Sequence, residues 1–217
     1  MKNNKLVINF LGDSITEGCW SSKPELCFVS LVGKMLGAEV RNYGIGGTRF
    51  AKQRIPSWNP KYDQYFASRI PNMNHDADLL FVFGGTNDFG HGDAPIGEEG
   101  DNTPNTFIGA TNNLVEELLK HYKKEQITFI LPLHRMGENN VYGNGEKETP
   151  SLTLDGYVSI IKDIVSKNEI DILDVREEMG GGICNPLLRD GLHPNDLGHR
   201  KLAELICDYI KNKKFTK

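Results

Sequence analysis

A hydroxyl, an imidazole, a carboxylate and spare N–H groups, suitably placed, can serve as nucleophile, base, orienter of the base and holder of a developing anion. Two segments carry the first three. Ser14 lies in Phe10-Leu11-Gly12-Asp13-Ser14-Ile15-Thr16-Glu17-Gly18, directly after an apolar run. A hydroxyl in that place stands at the rim of a sheet, near the start of a helix. Asp and Ser also serve as ordinary helix caps, which is the plainer use of the same residues. The GxSxG elbow of α/β-hydrolases is absent. The second segment is Arg189-Asp190-Gly191-Leu192-His193-Pro194-Asn195-Asp196. A turn across three residues brings the Asp190 carboxylate to Nδ1 of His193 and leaves Nε2 facing outward, which is the Asp–His half of a triad. Pro194 suits the first position of a helix, so His193 is the expected N-cap.

Two further segments offer oxyanion donors. Asn42-Tyr43-Gly44-Ile45-Gly46-Gly47-Thr48-Arg49 has three glycines that let the backbone come close to a ligand. Such a run reads as a main-chain oxyanion donor, a phosphate cradle or a tight turn. It is not G-x-G-x-x-G, because Arg49 takes the last glycine position. In Phe83-Gly84-Gly85-Thr86-Asn87-Asp88, the Asn87 amide can aim its NH₂ at negative charge, or simply start a loop as an Asx-turn.

These segments need a frame. Apolar runs at 6–11, 39–43, 79–83, 127–133 and 170–175 read as buried parallel strands. Between them, helical spacing links Leu26, Val29, Val32 and Leu36; then Leu114, Leu118 and Leu119 in a helix starting near Thr106. Two more stripes are Tyr157, Ile160, Ile161, Ile164 and Val165, and Leu202, Leu205, Ile206 and Ile210. Alternating strands and helices predict one α/β domain over 1–217: a five-stranded parallel sheet in the flavodoxin-like order 2-1-3-4-5 with helices on both faces. Each chemical segment then leaves a carboxyl strand end, where open α/β sheets bind ligands. Two polar stretches, 88–105 and 134–150, leave the same edge as long loops and are expected to shape a pocket. His134 and Arg135 open the second and are candidates, with Asp13, for contacting a hydroxylated substrate. Residues 50–73 are polar and aromatic, with a short helix near 61–68. Trp20, Trp58 and Phe66 take no role from sequence.

Composition limits the partners. The 217 residues are 38% hydrophobic and 25% charged with a formal charge of −4, an ordinary globular balance that argues against nucleic acid and anionic membranes. The first apolar run is too short for a signal peptide and no run is long enough to span a bilayer, so a cytoplasmic location is expected. Cys19, Cys27, Cys184 and Cys207 lack CxxC spacing and read as free thiols. A metal site from His193, Asp196 and His199 is disfavoured, since a spacing of six puts the two histidines on different helix faces.

Gly12-Asp13-Ser14-Ile15, Asn42-x-Gly44-x-Gly46-Gly47, Gly85-Thr86-Asn87-Asp88 and Asp190-Gly191-Leu192-His193-Pro194 together resemble the ordered blocks of the SGNH, or GDSL, hydrolases along nearly the whole chain. Ile15 stands where Leu is commoner. The resemblance implies a three-layer α/β/α fold and acylhydrolase activity without metal or organic cofactor. It implies Ser14 as nucleophile, His193 as base and Asp190 as orienter. The oxyanion donors would be the Ser14 and Gly47 amides and the Asn87 side chain, with Gly46 the neighbouring choice for the glycine. The expected substrate is a small-molecule ester, with a small acyl group on a polar alcohol such as a sugar. Lysophospholipid or thioester cleavage is the alternative within the family, and a flavodoxin-like binding module the alternative outside it.

Overall fold

A computed structural model describes residues 5–182 and 184–213. Its sheet has strands β1 (Val7–Gly12), β2 (Glu39–Gly44), β3 (Leu79–Phe83), β4 (Ile127–Ile130) and β5 (Asp171–Leu173). They run parallel in the order β2-β1-β3-β4-β5, as the strand–helix alternation predicts. The register pairs Gly12 with Gly44 and with Phe83, so the ends of β1, β2 and β3 are level.

The period of two along each strand divides two cores. Ile8 and Phe10 of β1 and Leu79, Phe81 and Phe83 of β3 face one side. There they meet α2 (Phe28–Leu36) and α8 (Asp196–Asn212), which pack against each other, with the short α7 (Arg176–Met179) against α8. Leu11, Leu80, Val82 and Phe129 face the other side. They meet α3 (Phe66–Arg69), α5 (Phe107–Leu119) and α6 (Leu154–Lys167). Phe10, Phe28 and Phe81 in the first core and Phe50, Phe66 and Phe107 in the second are almost fully enclosed. Truncating such a ring to Ala costs about 3–5 kcal/mol, so this double core holds the strand ends still.

Local chemistry sets the helix starts. Thr106 caps α5 by accepting the Gly109 amide at 3.0 Å, where sequence placed the helix start. The single turn 24–26 comes before α2, so Leu26 lies outside the helix its stripe suggested. Residues 61–68 split into one turn over Pro60–Asp63 and the start of α3. Strand β4 stops at Ile130 rather than residue 133. Its last rung is the Leu131 amide on the Leu173 carbonyl at 3.2 Å, and Pro132 has no N–H to continue it. Among the described residues, no helix is long and apolar enough to cross a membrane.

Candidate active site

Ser14 opens the one-turn helix α1 (Ser14–Glu17) straight after β1. Asp13 caps that turn, its Oδ1 accepting the Ile15 amide at 3.0 Å. The end of β2 presses on the same turn. A Cβ on Gly44 would sit 2.1 Å from the Glu17 nitrogen, so only glycine lets these backbones meet. Asn42 ties them together, its Nδ2 donating to the Thr16 carbonyl at 2.7 Å while its Oδ1 accepts the Gly44 amide at 2.8 Å.

Opposite Ser14 stands His193. Ser14 Oγ is 2.9 Å from His193 Nε2, and His193 Nδ1 is 2.8 Å from Asp190 Oδ2. The other carboxylate oxygen, Oδ1, accepts the amides of Leu192 at 3.0 Å and His193 at 2.8 Å. A carboxylate only accepts, so Nδ1 carries the ring proton and Nε2 presents a lone pair to the serine. Burial pushes the Asp190 pKa up, but the hydrogen bonds from His193 outweigh it and hold the carboxyl below its ordinary value. The expected N-cap role of His193 does not hold. The chain is still paired across Leu188 and Pro194, and α8 starts at Asp196 with Asn195 as cap, accepting the Leu197 and Gly198 amides. His193 therefore sits at the closing end of this loop, its carbonyl accepting the Arg189 amide at 2.8 Å.

The glycine run settles into distinct tasks. The Gly46 amide donates to Glu17 Oε2 at 2.7 Å. Gly47 has φ +73, and its amide, like that of Ser14, meets no acceptor among the described residues. Asn87 lies on α4 (Thr86–Gly90), immediately after β3. Its Nδ2 donates to the Thr48 carbonyl at 3.0 Å, which sets the amide beside the Gly47 turn. Three segments thus bring N–H groups to the carboxyl edge of the sheet, the edge that carries Ser14.

Other expected contacts are corrected. Asp13 is 1% exposed, so it caps α1 and does not face a ligand. Burial raises its carboxyl to about 7, against the Ile15 amide and Arg69. Arg135 is likewise buried; its guanidinium donates to the Thr86 carbonyl and hydroxyl and to Asn144 Oδ1. His134 Nδ1 is engaged by Glu138 at 2.9 Å and Arg176 at 3.1 Å. Asp13, although next to Ser14, turns its carboxylate into the backbone, and the Arg135 guanidinium and His134 Nδ1 are taken up by the protein's own groups. In the first long loop, the Asp93 carboxylate accepts the Arg54 and Ile55 amides, and Asp101 accepts from Thr103 and Thr106. Their acidity builds the loop. The trio His193, Asp196 and His199 does not converge either: Asp196 binds Ser22, and buried His199 bridges the Phe28 amide and the Cys19 carbonyl. The four cysteines are free, with Cys27 and Cys207 buried.

Sequence reasoning overlooked four residues around this site. Asp88 is buried and accepts the Phe50 and Ala51 amides at 3.0 and 2.9 Å, its carboxyl raised to about 6 by burial. Arg69, buried under the strand ends, donates to the Gly12 and Tyr43 carbonyls. Arg49 meets His91, and the other ring nitrogen of His91 meets Asn87. Beside Gly47 stands Tyr62, whose ring would lie 3.8 Å from a Cβ there, and Trp58 packs edge-on to Tyr62 at 5.6 Å while 86% exposed. A cavity of about 700 Å³ opens between residues 53–55, 91–96 and 146–151, with His91 in its wall and Ser14 outside it.

The comparisons with known proteins agree with this frame. A protein from Lactobacillus plantarum of solved structure is 24% identical with a TM-score of 0.79, covering 97% of this chain and 99% of its own. A lipase/acylhydrolase from Enterococcus faecalis is 19% identical, with a TM-score of 0.66 over 96% of this chain and 98% of its own. An acetyl xylan esterase is 21% identical, with a TM-score of 0.64 over 94% and 100%. No curated protein matches the chain. The model of the GDSL-like lipase/acylhydrolase family matches residues 10–201, nearly the whole length. With that match and the five-stranded 2-1-3-4-5 sheet, the chain belongs to the GDSL-like lipase/acylhydrolase family.

Proposed function

We propose that the protein is a serine-dependent ester hydrolase working through an acyl-enzyme, with Ser14, His193 and Asp190 as its triad. The observation that carries this reading is the unbroken line Ser14 Oγ, His193 Nε2, His193 Nδ1, Asp190 Oδ2, with steps of 2.9 and 2.8 Å. His193 takes the hydroxyl proton at Nε2 as Ser14 Oγ attacks the ester carbonyl. The oxyanion is held by the Ser14 and Gly47 amides and by Asn87 Nδ2. The imidazolium then returns its proton to the leaving alcohol. A water, deprotonated by the same Nε2, releases the acyl group and restores Ser14.

For the substrate we propose a small acyl group, such as acetyl, on a polar alcohol such as a carbohydrate. The exposed Trp58 face beside Tyr62 and Gly47 supports a sugar ring lying against it. The fold shared with an acetyl xylan esterase points the same way.

The test is hydrolysis of p-nitrophenyl acetate by wild type and Ser14→Ala with EDTA present, followed by acetylated sugars against esters of long acyl chains. Turnover by the wild type alone, with preference for acetylated sugars, is the expected result. Equal slow turnover by both proteins would withdraw the serine mechanism. Preference for long chains would replace the carbohydrate reading with lysophospholipase or thioesterase chemistry.

A further inference from the structure

Asn87 can donate to an oxyanion only if its amide is turned the right way. A rotation of 180° would present Oδ1 to the developing negative charge. One bond that sets the orientation, Nδ2 to the Thr48 carbonyl, is described above. A second comes from His91, one helical turn further along the chain. His91 Nδ1 lies 2.7 Å from Arg49 Nη1, and His91 Nε2 lies 3.2 Å from Asn87 Oδ1.

The protons in this chain follow from elementary chemistry. A guanidinium has donors and no acceptor, so His91 Nδ1 must be the bare nitrogen. The neutral ring then carries its proton on Nε2 and donates it to Asn87 Oδ1. With Oδ1 held by His91 and one Nδ2 proton on Thr48, the remaining Nδ2 proton is left for an oxyanion. Arg49 is itself buried, 4% exposed, with Nη2 reaching the Tyr62 carbonyl at 3.4 Å. Burial first, then the charges of Arg49, Arg135 and Lys147, hold the His91 pKa down at about 4, which keeps the ring neutral near pH 7.

From this geometry we infer that Arg49 and His91 form a relay that orients Asn87, with Arg49 choosing the His91 tautomer and His91 choosing the Asn87 rotamer. Both are positioning residues. The inference rests on the serine acylhydrolase reading, in which Asn87 is an oxyanion donor. Arg49 and His91 act through Asn87, so losing either is expected to weaken the transition state and leave ground-state binding little changed.

The experiment is a double-mutant cycle on p-nitrophenyl acetate turnover with Asn87→Ala, His91→Phe and the pair, beside Ser14→Ala as control. Asn87→Ala is expected to lower kcat by about 10²–10³. His91→Phe is expected to lower it about tenfold, with KM within about twofold of wild type. In the Asn87→Ala background, His91→Phe is expected to cost nothing more. A purely structural role would lower kcat equally in both backgrounds, and that result would overturn the relay, as would wild-type kcat in His91→Phe.

A second pair keeps the test sharp if His91→Phe folds poorly. Gln places an N–H near the position of Nε2, whereas Asn reaches only the position of Nδ1. His91→Gln should keep most of the activity and His91→Asn should lose as much as His91→Phe. Equal activity in the two would overturn the relay. An active Ser14→Ala would withdraw the parent mechanism and the relay with it. An inactive Ser14→Ala with an additive cycle would withdraw the relay alone.

Discussion

At the scale of single residues, proton positions decide what this site can do. Asp190 Oδ1 is fixed by two backbone amides and Oδ2 faces the imidazole. In Asp190→Asn, the two amides still need an acceptor, so the Asn oxygen must take the Oδ1 position. Its NH₂ then faces Nδ1, which forces the ring proton onto Nε2 and removes the lone pair that Ser14 needs. We expect kcat to fall by about 10³–10⁴ with the thermal melt little changed. Near-normal kcat would remove Asp190 from the role of orienter. Ser14, Gly47 and Asn87 were legible because each follows an apolar strand run, and the Asp190–His193 pair because a turn can join residues three apart; that pair rides on the loop before α8, well beyond the end of β5, and not at a strand end as its segment suggested. The choice between Gly46 and Gly47 was not legible, because it depends on Glu17 reaching across to accept the Gly46 amide. His91 had a visible signal in its spacing of four from Asn87, which puts both on one helix face. Its partner Arg49 had none, since only folding brings it within 2.7 Å of that ring.

At the scale of elements, α1 carries a single turn with a buried cap, and its stability depends on pH. Unfolded chain releases the Asp13 proton near 3.8, and the folded protein releases it near about 7, because burial outweighs the Ile15 amide and Arg69. Between these values the folded state binds more protons than the unfolded one, so stability falls as pH rises. Asp13→Asn keeps an oxygen for the Ile15 amide and removes the titration. Relative to wild type, the variant should gain on the order of a few kcal/mol of stability from about pH 4 to about pH 8, read by denaturant unfolding at each pH. His91 is present in both proteins, and the Asp88 charge, which also raises the Asp13 carboxyl, is part of the same effect. A difference that stays constant with pH would mean that Asp13 ionises near its ordinary value. Asp13 also marks where sequence reading stops at this scale. The Gly12-Asp13-Ser14 motif locates the turn, but whether its carboxylate meets ligand or backbone is settled by the packing above it. The same holds for α8, where Pro194 promised a start that the pairing of Leu188 with Pro194 delays to Asp196.

At the scale of the whole molecule, the site joins two bodies that the sheet alone does not connect. Asn87 rides on α4 after β3, while Asp190 and His193 ride on the loop before α8. The stretch 134–150 bridges them. Its Met136 amide donates to the Gly191 carbonyl at 2.7 Å, and its Asn144 amide donates to the Gly90 carbonyl at 2.7 Å. Lys147 Nζ adds bonds to the Asp88 and Gly92 carbonyls at 2.8 and 2.7 Å. Arg135 closes the bridge from inside, joining Thr86 to Asn144. The sequence identified this stretch as long and polar, but polarity alone does not separate a pocket wall from a strut. Arg135 separates them by experiment. Arg135→Met keeps the apolar stem and leaves the Thr86 and Asn144 acceptors buried without their donor. As a strut, it should lose about 2–4 kcal/mol of stability with KM for p-nitrophenyl acetate unchanged. As a substrate contact, it would raise KM and leave the melt in place. Arg135 lies 7% exposed beneath the loop, so its donors reach the protein's own oxygens, and the first outcome follows from that placement.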